Sequence, residues 1–282
     1  VYVVAIAELG ATAETEVAPL AADLGVVAYD ARLLLAQGLP AVVLQTPDKA
    51  RALGLLAKIR ARGNGAMACD AAAVVSSDAM VSMRRFRLEG DGVSLDDRPG
   101  DRLPFSEVLA LVPAIHRIRA DSTTVTKSTK FSASRMLITG GLSMTKTVKT
   151  ESRSTTEARE HVLYVFRRDG ETPWLLEEQG TSWAGLGRPP APSGYENFRA
   201  TIAELRARAP AATYDERLLT RKAAPERAAL TGGVRSTTVK TSSEAGVDLL
   251  AHLIATWVLR QQRGDEPYRD PEGPAGEGER SA

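Results

Sequence analysis

Apolar and polar positions change period several times along the chain, and each change marks an element. VYVVAIA (1–7) is an apolar, β-branched run of strand length. It reaches Glu8 too soon for the core of a signal peptide and has no basic leader. Thr15 is placed to cap a helix ending at Gly25, with Pro19 at the fourth helical position, where no intrahelical donor is lost. A second helix near 28–37 stops at Gly38, and PAVVLQ (40–45) has the composition of a buried strand. TPDKARALGLLAKIRARG (46–63) is the clearest helix. Thr46 serves as N-cap, Pro47 opens the first turn, and Asp48 meets the positive end. Ala52, Leu55, Leu56 and Ile59 form one stripe, and Gly63 stops it. AMACDAAAVV (66–75) closes the sheet, so residues 1–76 are predicted as a small β-α-α-β-α-β domain.

After the polar break SSDAM (76–80) the pattern alternates. MRRFRLEGDGVSLDD turns at EGDG, a hairpin signal. A strand is expected near Val108–Ile118, then Thr-rich stretches, HVLYVFRRDG, TPWLLEEQG and a helix over 195–209 with Phe198, Ile202 and Leu205 on its apolar stripe. A further apolar helix is expected over 247–260. Residues 81–260 thus read as a larger antiparallel β-rich domain with a long β-hairpin and C-terminal helices, making the fold class α+β. Residues 263–282 hold Gly, Pro, Asp and Glu with little to bury and are expected to be a disordered tail. STTVTK (122–127) and STTVKT (236–241) echo each other, but two echoes do not make a repeat architecture.

The stretch LGVVAYDARLLLAQGLPAVVLQTPDKARALGLLAKIRARGNGAMACD resembles the C-terminal domain of the bacterial ribosomal stalk protein L7/L12. The shared features are a Leu-Gly turn, an Ala/Leu-rich helix, a short strand after proline, a second Leu/Ala helix and a final strand. The adaptor fold of the ClpS family is similar. The resemblance covers about a quarter of the chain and implies an adaptor fold and a partner-binding role. That family meets translation factors through lysines on its first two helices. This chain has no lysine before Lys49 and only Arg32 on those helices, so factor binding does not carry over. In the middle region, strands followed by one closing helix are similar in order to pleckstrin-homology-like (PH-like) domains.

Charge changes the picture locally rather than globally. The net charge of the 282 residues is +1, so no overall field steers the chain to nucleic acid or membrane. Residues 117–168 nevertheless hold eleven Lys or Arg against four Asp or Glu, a net of +7. The stretch ITGGLSMTKT (138–147) lies at its centre. Its paired glycines do not fit a P-loop or a dinucleotide fingerprint, because a Thr-rich strand rather than a helix follows. A two-residue hairpin turn at Gly140–Gly141 fits better. It sets Lys130 opposite Glu151 and Arg135 opposite Lys146. The candidate contact surface is therefore Lys127, Lys130, Arg135, Lys146, Lys149 and Arg153. A protein partner or self-association is the favoured use, with oligomers formed by pairing of hairpin arms. Anionic lipid or phosphate is the alternative. Nucleic acid is disfavoured, because only Phe131 offers a stacking ring in these arms.

Other chemistry is sparse. His116, His161 and His252 are far apart, with no metal-ligand spacing, so no metal and no cofactor are expected. Cys69, the single cysteine, excludes an internal disulfide, reads as a buried thiol, and points to the reduced cytoplasm. Glu177 and Glu178 are adjacent on a strand and point to opposite faces, so they make no ready acid/base pair. Trp174, Trp183, Tyr195 and Phe198 bracket a Pro-rich loop, either as a peptide groove or as the core under the closing helix. The longest helical apolar run, Leu249–Leu259, covers 11 residues, short of the roughly 20 that a bilayer span needs. The expectation is a non-catalytic cytoplasmic adaptor or scaffold. An enzyme of unknown type using His116 or His161 remains a further alternative.

Overall fold

Strand β1 (Tyr2–Glu8) lies at the centre of a three-stranded antiparallel sheet in a computed structural model of the chain. The structure describes residues 1–131, 145–221, 227–233 and 236–264, with side chains described outside 120–156 and 222–241. Strands β2 (Ala41–Thr46) and β3 (Gly65–Asp70) flank β1. β1 is apolar at every central position because both its faces are covered. Val4 and Ile6 meet helices α1 (Ala13–Leu24), α2 (Ala28–Ala36) and α3 (Lys49–Ala61). Val3, Ala5 and Ala7 point into a second core on the other side.

The element order is the expected one, but two caps sit elsewhere. Thr12, not Thr15, caps α1, its hydroxyl accepting from the Thr15 N–H. Pro19 consequently lies deeper than the fourth position and cannot supply a donor to the Thr15 carbonyl. Asp48, not Thr46, caps α3, its carboxylate accepting from Arg51 N at 3.0 Å. A carboxylate at this position both satisfies the first turn and meets the helix dipole. The Thr46 hydroxyl instead accepts from Asp48 N.

The second half is built on two sheets. Strand β4 (Val81–Ser82) leads into a small meander of β5 (Phe86–Leu88), β6 (Gly92–Leu95) and β7 (Arg102–Pro104), with the EGDG turn joining β5 to β6. The main sheet contains β8 (Val108–Phe131), β9 (Thr145–Arg167), β10 (Trp174–Glu177), β11 (Thr213–Tyr214), β12 (Arg227–Gly233) and β13 (Ser236–Ser242). Its strand order is β12-β13-β8-β9-β10-β4, with β11 parallel to β8. β8 runs well past the expected end at Ile118. Helices α4 (Gly194–Arg208), α5 (Arg217–Thr220) and α6 (Glu244–Arg263) complete the described chain. Residues 265–282, most of the expected tail, lie outside the described residues.

Period-two alternation along β8 and β9 divides the core. Ala110, Val112, Ala114, Val162, Tyr164 and Phe166 face α6. Leu111, Leu163 and Val165 face the other way, toward Phe198, Ile202 and Leu205 of α4 and the meander residues Phe86 and Leu103. Helix α6 also covers Val3, Ala5, Ala7 and Met67 of the first sheet. It is packed between two sheets, which is why GVDLLAHLIATWVL is apolar around most of its circumference. The boundary expected near residue 76 is therefore crossed by a shared core. Among the described residues, no helix is long and apolar enough to cross a membrane.

Candidate functional site

The basic hairpin is a ribbon continuous with the core strands. β8 and β9 pair from Val108–Arg167 to Phe131–Thr145. Beyond Ile118 the ribbon runs on for about 45 Å at ordinary strand rise. Its register differs from the expected one. Lys130 lies opposite Lys146, not Glu151; Lys127 lies opposite Lys149 and Arg153 opposite Thr123. The expected two-residue turn at Gly140–Gly141 and the expected pairing of Arg135 lie outside the described residues. The reason for the difference in register is long-range: the apolar pairs near the core set the register, Val112 opposite Tyr164 and Ala114 opposite Val162, and the arms inherit it.

The two echoed segments are neighbours. β13 pairs antiparallel with β8, placing Thr238 opposite Ser122 and Thr237 opposite Thr123. On the other side, β10 pairs β9 only over Val162–Val165. From Thr145 to Glu160 the outer edge of β9 has no strand beside it among the described residues.

The four aromatic residues do not form one groove. Trp174 (1% exposed) and Phe198 (2% exposed) are core residues. Trp183 packs edge-on to Phe86. Tyr195, 42% exposed at the start of α4, shares a cleft with Phe198 but not with the two tryptophans. Burial of Trp174 follows from its place on β10, a strand covered on both faces.

His116 and His161 point to opposite faces of the sheet. His161 is opposite Ile115, and His116 is opposite Glu160, so the two rings are one register step apart and separated by the backbone. His116 belongs to a buried chain of hydrogen bonds. Its Nε2 lies 2.7 Å from the Tyr164 hydroxyl, which donates to Asp248 Oδ1 at 2.6 Å. Ser77 gives the same carboxylate two more bonds, from Oγ to Oδ1 at 2.6 Å and from N to Oδ2 at 2.9 Å. Since the phenol donates to Asp248, Nε2–H of His116 donates to the phenol. His252, one turn along α6, accepts from Val75 N through Nε2 and donates from Nδ1 to the Asp248 carbonyl. Burial pushes both imidazoles below their usual range, against the raising effect of the Asp248 charge. Burial, then Asp248, holds the Tyr164 phenol well above its usual value. The network ties α6 to β8, β9 and the 77–79 turn.

His161 lies instead beside a cleft of about 390 Å³. Its Nδ1 meets Glu178 Oε2 at 2.7 Å, leaving Nε2 without a hydrogen bond among the described residues. The imidazole packs on Tyr195, with ring centroids 4.7 Å apart. Arg199 and Arg206 of α4, Tyr214 of β11 and Glu216 line the remainder, over a floor that includes Pro113 and Phe198. The Arg206 guanidinium lies 3.9 Å from the Tyr214 ring centroid. Arg199 is 5.9 Å from that of Tyr195. The two arginines, the His161–Glu178 pair and Tyr214 have no joint signature in the sequence, because four separate elements supply them. The one local signal is the seven-residue spacing of Arg199 and Arg206, which places both on one helical side.

No family model, curated protein or solved structure matches the chain.

Proposed function

We propose that this protein is a non-catalytic adaptor or scaffold that contacts a protein partner through the basic β-ribbon. The observation that carries this reading is the pairing of like charges along the ribbon, Lys127 with Lys149 and Lys130 with Lys146. Directly opposed like charges are unfavourable in a sheet. An acidic partner surface relieves that repulsion, and the open outer edge of β9 offers it a strand-pairing register. The β-α-α-β-α-β order of the first 76 residues supports reading that part as an L7/L12-like or ClpS-like adaptor module. Strands followed by helix α4 support the PH-like reading of the middle region. The proposed setting is the cytoplasm.

The test is a pulldown with the whole chain and a variant carrying Lys127→Glu, Lys130→Glu, Lys146→Glu and Lys149→Glu. Loss of a partner from the variant supports the reading, and an unchanged set of partners rejects it. Light scattering of both proteins shows whether that partner is a second copy of the chain. If the ribbon instead serves the alternative ligand, an anionic lipid, the whole chain sediments with phosphatidylserine vesicles at low salt and is released at high salt.

A further inference from the structure

The cleft beside His161 has the features of a ligand site that the adaptor reading does not use. Its walls are aromatic: Tyr195 with the His161 ring on one side and Tyr214 on another. Its cations are unspent. Among the described residues, neither Arg199 nor Arg206 has a carboxylate within ion-pair distance, whereas Arg208 pairs with Glu204 and Arg217 with Asp215. Each guanidinium instead lies near a ring. Guanidinium groups held this way keep their in-plane N–H donors free for an acceptor. Two carboxylates are also near, Glu216 in the lining and Glu178 bonded to His161, so the pull on an anion comes from the directed guanidinium N–H donors rather than from a net positive charge. His161 adds a polar atom of fixed orientation, because the bond from Nδ1 to Glu178 leaves Nε2 as the available position. A volume near 390 Å³ suits a small molecule rather than a protein segment.

We infer that this cleft binds a small aromatic anion, its planar body against Tyr195 and His161 and its acid group held by Arg199 and Arg206. The chemistry fits a carboxylate or a phosphate monoester equally well, since both accept from guanidinium N–H groups. The apolar walls reject free inorganic phosphate, which has no surface to stack.

Fluorescence titration of the full chain with 1-anilinonaphthalene-8-sulfonate tests this. One probe binds per chain, and Arg199→Gln with Arg206→Gln weakens binding tenfold or more. Each single variant gives part of that loss, which guards against misfolding of the double variant, as does an unchanged melting temperature. In competition, 2-naphthoate and 2-naphthyl phosphate displace the probe, and whichever does so at lower concentration identifies the acid group. Neutral 2-naphthol and inorganic phosphate displace it poorly. The inference is overturned if the probe does not bind, binds the glutamine variants equally well, or is displaced by naphthol as readily as by the anions. These outcomes are independent of the ribbon variants, whose substitutions lie on the other strand segments.

Discussion

The Tyr164 phenol donates a 2.6 Å hydrogen bond to Asp248 Oδ1, joining the C-terminal end of β9 to the first turns of α6. Asp248 is 2% exposed, and three donors converge on its two oxygens. Removing the carboxylate strands Tyr164 and Ser77 together, while removing the phenol hydroxyl takes one donor from Asp248 and the acceptor from His116 Nε2. Tyr164→Phe is expected to cost about 1–3 kcal/mol, and Asp248→Ala more than that. Urea unfolding of the two variants measures both, and wild-type stability in Asp248→Ala contradicts the account.

The same region sets a pH dependence. Burial holds His116 and His252 below the ordinary 6.5, so the unfolded chain takes up protons that the native chain does not. Stability is then complete above about pH 6.5 and falls as the pH drops below that value toward the lowered native values. The paired variant His116→Gln, His252→Gln is expected to flatten the slope of urea midpoint against pH in this window. An undiminished slope assigns the effect to other groups.

Two glycines make opposite predictions. An added Cβ at Gly185 falls 1.5 Å from the Phe86 carbonyl oxygen, a clash with backbone that cannot rotate away. Gly185→Ala is expected to destabilise by about 3 kcal/mol or more, or to prevent folding. Gly54 is exposed within α3 with nothing within 4 Å of such a Cβ. Gly54→Ala is expected to stabilise by about 0.5–1 kcal/mol, because alanine loses less entropy in a helix. Thermal melts of the two variants shift in opposite directions if this holds.

Cys69 offers a kinetic check. Burial pushes its thiol up to about 11, with the neighbouring Asp70 charge adding to the effect. At pH 8 the native thiol is expected to react with a disulfide reagent about two orders of magnitude more slowly than the unfolded chain. Equal rates before and after denaturation show that the thiol is freely ionised.

The ribbon shows most plainly where sequence reasoning stops. Long extended arms, a basic bias and the helix at Glu244–Arg263 are visible in composition and period. The partner of Lys146 is not. Thr- and Ser-rich arms have no apolar face to select one register over its neighbours, so the register drawn from the local glycine pair differs from the one that the pairing nearer the core sets. The echoed STTV segments carry the same lesson, since their similarity gave no sign that they lie side by side.

By itself the sequence determined the α+β class, the β-α-α-β-α-β order of the first 76 residues, the stripes of α3 and α4 and the strand character of His116 and His161. These depend on periodicity and terminal residues within a few turns or steps of one another. Tertiary structure alone decided that α6 fills the space between two sheets, that His116 and His161 face away from each other, and that Arg199, Arg206, Tyr214 and the His161–Glu178 pair meet around one cleft. Those relations join residues distant in sequence, and burial of apolar surface across the sheets selects them rather than any local preference.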